Sequence, residues 1–243
     1  MYRTLDPEKI AATLVALEQR IAERFPGASL GKVCAELLHV ARESRERVAR
    51  IAARNYPLRA LTAAVTAGGL GLLVYLGTVI EVKREGTNVY GILQGFESGF
   101  NIVVLMGAAI FFLATLETRL KRREALARLH ELRSIVHVID MHQLTKDPSV
   151  TVGAGRATAS SPERRMSPFE LSRYLDYCSE MLSLTAKLAA LYAQGSKDPV
   201  VIDAASDIGQ ITTNLASKIW QKITLVQQMS LAPAAPRSSI PPG

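Results

Sequence analysis

Cysteine is nearly absent from this chain: 243 residues contain two, Cys34 and Cys178. Two isolated thiols make no zinc knuckle, and a reducing cytoplasm keeps them free. Their apolar neighbours mark them as buried packing groups. Strand-like alternation is missing, as is any long internal repeat, so the helix is the element to look for. Gly153-x-Gly155 is the nearest thing to a phosphate loop, but no Gly-Lys-Ser/Thr follows it. With no nucleophile–base set and no strong metal motif, the reading is non-enzymatic, and no cofactor is expected. Acidic residues are the minority, 22 against 29 Lys and Arg, for a net charge of +7. That excess would suit nucleic acid, but aromatics able to stack on bases are not interleaved with it, so no nucleic-acid partner is expected.

What is present is two uncharged apolar runs, Ala60 to Ile80 and Ser98 to Leu116. Each has about the length that a helix rising 1.5 Å per residue needs to cross ~30 Å of hydrocarbon. Arginines crowd one flank of each: Arg42, Arg45, Arg47, Arg50, Arg54 and Arg59 precede the first, and Arg119, Arg122, Arg123, Arg128 and Arg133 follow the second. Between the runs, Lys83 and Arg84 stand against Glu81, Glu85 and Glu97. The positive-inside rule then puts both termini in the cytoplasm and the connecting segment outside. The first run starts too far from Met1 for a cleaved signal peptide and has no separate cationic leader. The expected location is a bacterial inner (plasma) membrane, with the arginines meeting anionic lipid head groups.

Cytoplasmic helices complete an all-α membrane protein: a two-span transmembrane helical hairpin with a cytoplasmic helical stalk and a C-terminal helical hairpin. The boundaries read as N-terminal helices over 1–57, the transmembrane hairpin over 58–117, a juxtamembrane helix over 118–148, a flexible linker over 149–166, the C-terminal hairpin over 167–230 and a disordered tail over 231–243. Asp6 and Pro7 open the first helix, whose stripe is Ile10, Leu14, Leu17 and Ile21, and Phe25-Pro26-Gly27 ends it. Ser29 caps the second, with Val33, Leu37, Val40, Val48 and Ile51 inward, and Pro57 starts the first span. The second span runs on without a breaker, carrying Leu126, Leu129, Leu132, Val136 and Ile139, so the cytoplasmic ends of the spans can form a stalk about 40 Å long. Ser167 and Glu170 form a capping box. The stripe Tyr174, Cys178, Met181, Leu184, Leu188 and Leu191 faces the stripe Val201, Ala205, Ile208, Thr212, Leu215, Ile219, Ile223 and Val226. Both stripes are narrow, closer to a coiled-coil seam than to a globular face. These two helices need the juxtamembrane helices, or copies from other subunits, to complete a core.

Three groups of residues are candidates for function. Small residues at i, i+4 spacing, Ala60-Ala64-Gly68, Ala63-Ala67-Gly71 and Gly91-Gly95-Gly99, permit close helix packing in lipid, within the chain or in a homo-oligomer. Gln94, Glu97, Ser98 and Asn101 share one face of the second span. They suit the mouth of an oligomeric pore, or a headgroup-level rim with Asn101 bonded to a neighbouring helix. His130, His137 and Asp140 share a face with Arg133, opposite the apolar stripe. A divalent metal or a pH change is one reading of them, and a hydrogen-bonded face with Asp140 paired to Arg133 or His137 is the plainer one.

In layout, cytoplasmic helices around a two-span hairpin, the chain resembles small bacterial two-span proteins, including the SLATT group of proposed membrane-acting effectors. The leading expectation is a membrane scaffold whose cytoplasmic helices self-associate or recruit an unknown cytoplasmic protein partner. An oligomeric pore and a metal- or pH-responsive sensor are the alternatives.

Overall fold

The structure, a computed structural model, describes residues 4–79, 89–146 and 166–231. Of the expected outer connection, residues 81–88 lie outside these residues, whereas 89–97 are helical and continuous with the second apolar run; the expected linker and tail lie outside them apart from residues 166 and 231. Every described element is a helix: α1 (Pro7–Arg24), α2 (Ser29–Ala52), α3 (Tyr56–Val79), α4 (Val89–Leu144), α5 (Pro168–Gly195) and α6 (Pro199–Leu231). The chain divides into two compact units. Unit 1 holds residues 1–52 and 125–243, and unit 2 holds residues 53–124. The N-terminal, juxtamembrane and C-terminal helices, distant in sequence, therefore form one body.

Local signals set the helix ends. The Asp6 side chain accepts from the Glu8 N–H, and Pro7 fills the first turn of α1, where a missing N–H costs nothing. Gly27, at φ 74°, turns the chain from α1 into α2 in the left-handed region that glycine enters without steric cost. Ser167 and Glu170 form the reciprocal capping box at the start of α5. Asp198 accepts from the Val200 N–H at the start of α6. Ser29 is itself the first residue of α2, and its hydroxyl lies 3.1 Å from His142 Nε2.

In unit 1, α5 is the central helix. It packs along α6 and against both α1 and α2. The apolar stripes of α1 and α6 are buried as their spacing predicts, and so are Leu129, Leu132, Val136 and Ile139 of α4. The narrow seam expected on α5 needs correction. Leu171, Leu175, Leu182, Ala189 and Tyr192 are buried along with the predicted stripe, so α5 is covered on most of its circumference. Phe25 meets Tyr174 and Tyr177 edge-on at 5.5 and 6.2 Å. Arg20 grips Glu180 with two bonds of 3.0 and 2.5 Å. The core that two helices lack alone is thus supplied within the chain. Each fully buried leucine contributes about 1.5–3 kcal/mol.

Unit 2 has the opposite distribution. Among its described residues no large side chain is buried, while Leu61, Val74, Phe96, Phe100, Leu105 and Phe111 are all exposed. Among the described residues, two helices are long and apolar enough to cross a membrane. In their most apolar 18-residue windows only 6% and 0% of residues are buried, so neither has the character of a soluble core helix.

Candidate functional site

The polar stripe comes first. Gln94, Glu97, Ser98 and Asn101 all fall on α4 and are all exposed within the single chain. The small-residue stripes behave in the same way. A Cβ added at Gly68, Gly71, Gly91, Gly95 or Gly99 would meet nothing within 4 Å. The helix contact in unit 2 is made instead by Gly69, which belongs to none of the stripes. It is buried, and a Cβ there would overlap the Met106 sulfur. Ala63 and Ala67 line a cleft between α3 and α4, and Ala64 is exposed.

The cleft ends in an ionic knot that sequence spacing only hinted at. Glu117, one residue beyond the apolar run that stops at Leu116, accepts from the Asn55 N–H at 3.1 Å and from Arg59 Nε at 2.9 Å. Lys121 Nζ lies 2.9 Å from the same carboxylate and also donates to the Ala53 carbonyl. The bonds from Lys121, Asn55 and Arg59 hold the Glu117 carboxyl down to about 2. The Glu117–Lys121 pair is legible as an i, i+4 pair. The return of Asn55 and Arg59 onto it is a tertiary fact.

A second polar node lies inside unit 1. Ser44 and Tyr192 are buried and share a hydrogen bond of 3.1 Å. Arg47 reaches Glu43 at 2.8 Å and Glu131 at 3.8 Å, and Arg128 reaches Glu131 at 3.2 Å. Glu131 thereby ties α2 to α4. Arg47 and Arg128, read from sequence as part of the flanking charge, are structural here.

The histidine segment is spread out. His130 and His137 are exposed, and His130 and Arg133 line a cavity of about 40 Å³ with Asp207 of α6. Asp140 accepts from Gln143 Nε2 at 2.6 Å, in place of the expected pairing with Arg133 or His137. Gln143 lies three residues on, on the same helix face, and Lys222 Nζ holds its side-chain oxygen at 2.7 Å. Among the described residues no three His, Cys, Asp or Glu side chains converge to hold a metal. Cys34 and Cys178 are free and buried, and burial pushes both thiols up to about 12.

Comparison with known protein families, with curated proteins and with solved structures finds no match to this chain.

Proposed function

We propose that this chain is a non-enzymatic scaffold of a bacterial inner membrane. The hairpin of α3 and the first part of α4 crosses the bilayer, and both termini and the helical body lie in the cytoplasm. The observation that carries this reading is the reversal of burial between the units: apolar side chains point inward in unit 1 and outward in unit 2. Lipid is the solvent that such an outward face suits. The exposed arginines that flank the hairpin support contact with anionic head groups.

The scaffold self-associates. Open space beside Gly68, Gly71, Gly91, Gly95 and Gly99 supports close approach of a second copy. The body supplies the recruiting surface for a cytoplasmic protein, and Met141, Phe169 and Trp220, 69%, 63% and 55% exposed, are among its uncovered apolar side chains. The test is the full-length chain purified and reconstituted in liposomes. The scaffold runs as an oligomer in detergent and passes no ions. A stable monomer removes self-association. The exposed polar stripe favours a second reading, an oligomeric pore with Glu97 at its mouth. Ion flux that falls on Glu97→Gln would replace the scaffold with that pore.

A further inference from the structure

The cleft between α3 and α4 has a volume of about 620 Å³ and is lined by residues 58 to 70 of α3 and 113 to 117 of α4. Its walls are apolar in effect. Thr62 and Thr66 turn their hydroxyls back onto the Leu58 and Thr62 carbonyls at 2.9 and 2.8 Å, which satisfies the hydroxyls within the helix. Ala63, Ala67 and Ala114 leave the space open, and the cleft lies next to the Gly69–Met106 contact in sequence and structure. Twelve residue steps along α3 cover about 18 Å, close to the ~15 Å depth of one leaflet.

The mouth is cationic. Arg59 uses Nε on Glu117 and keeps 54% of its side chain exposed. Both Glu117 oxygens are occupied by Asn55, Lys121 and Arg59. One carboxylate therefore faces two cations, which leaves a net positive mouth and fixes the guanidinium at the rim. The first turn of α3 adds the positive end of its dipole.

We infer that this cleft is a lipid site: it takes one acyl chain of an anionic phospholipid from the cytoplasmic leaflet, with the phosphate on Arg59. The inference rests on the membrane reading of the hairpin. An apolar slot one leaflet deep with a cationic rim matches an anionic amphiphile on both counts. A helix from a second copy would match the slot alone.

The experiment is native mass spectrometry of the full-length chain released from vesicles of phosphatidylcholine and phosphatidylglycerol. The wild type retains one phosphatidylglycerol in preference to phosphatidylcholine. Arg59→Gln lowers retention of phosphatidylglycerol on the order of tenfold, the worth of one charge-assisted hydrogen bond, and narrows its margin over phosphatidylcholine, whose choline cation the rim repels; Arg59→Lys restores part of both. Because Arg59→Gln also disturbs Glu117, a second variant fills the slot and spares every charge: Ala63→Leu with Ala67→Leu loses the adduct. Retention of the lipid by the filled variant overturns the site, as does equal retention of both lipids by the wild type. A lipid-free dimer that the filled variant dissociates assigns the cleft to a second copy and also overturns it. Alkaline carbonate extraction of the same membranes separates the two levels. A chain released by carbonate sinks the membrane reading itself, whereas a chain that stays in the membrane without a lipid adduct sinks the cleft alone.

Discussion

The two units of this chain use the same kinds of apolar residue in opposite directions. In unit 1, Leu14, Leu132, Leu175 and Ile219 are shut away from solvent. In unit 2, Leu70, Leu105, Phe100 and Phe111 have half or more of their surface uncovered. Composition alone does not separate the two. Periodicity does: unit 1 helices set charged and polar residues on the face away from their apolar stripes, whereas the two apolar runs carry no charge at all. A charge-free run offers little to water and suits protein or lipid as its solvent, and among the described residues of this chain protein covers almost none of it.

Substitutions that exchange the rules of the units break the contrast most strongly. Leu182→Ala, in the fully buried heart of α5, should destabilise the body by about 3 kcal/mol through lost burial and a residual cavity. Thermal unfolding in mild detergent measures it, and Leu105→Ala on the exposed face of α4 should leave the same transition in place. Leu105→Lys should cost about 3 kcal/mol in membrane insertion with the body's unfolding unchanged, as read by the carbonate-resistant fraction. Within unit 2, Gly69→Val should drive the flexible Met106 side chain from its place against α3, a local repacking, while Gly68→Val meets open space. A bifunctional maleimide joining cysteines placed at Thr66 and Leu113, which line the same cleft, should still form its bridge in both variants, and its loss in Gly69→Val would show that the helices have parted.

Smaller effects sharpen the same picture. Tyr192→Phe removes one hydroxyl and leaves the buried Ser44 with its bond to the Val40 carbonyl, so it should cost about 1 kcal/mol in the same unfolding measurement. The Glu117 knot predicts a pH dependence. Its folded carboxyl is depressed to about 2 from 4.5, so its contribution is complete above pH 4.5 and is lost as pH falls toward 2. Reporters on the exposed Tyr56 and Leu120 beside the knot should show it loosening over that window, and Glu117→Gln should flatten the profile.

Much of the fold is legible in the sequence because its signals are local. The Asp6 and Ser167 caps, the break before Pro57 and the α6 stripe from Val201 to Val226 all depend on neighbours within a turn or two. The second face of α5 is not legible, because Leu175, Leu182 and Tyr192 read as an unremarkable apolar excess until α1 and α2 arrive to cover them. The candidate sites divide in the same way. That Gln94 and Glu97 share a helix face follows from spacing. The choice of Gly69 over Gly68 as the contact, and the return of Asn55 and Arg59 onto Glu117, depend on how two helices meet.

The central claim is that unit 2 crosses a membrane while unit 1 stays on one side of it. Thiol labelling in intact cells tests it against a quiet background, because Cys34 and Cys178 are buried and their thiols are pushed up to about 12. Tyr90→Cys sits at the exposed start of α4, and Lys197→Cys sits in the exposed turn before α6. The account predicts that a membrane-impermeant maleimide labels Tyr90→Cys from outside and reaches Lys197→Cys only after the cells are permeabilised. Labelling of Lys197→Cys in intact cells, or protection of both until lysis, would contradict it.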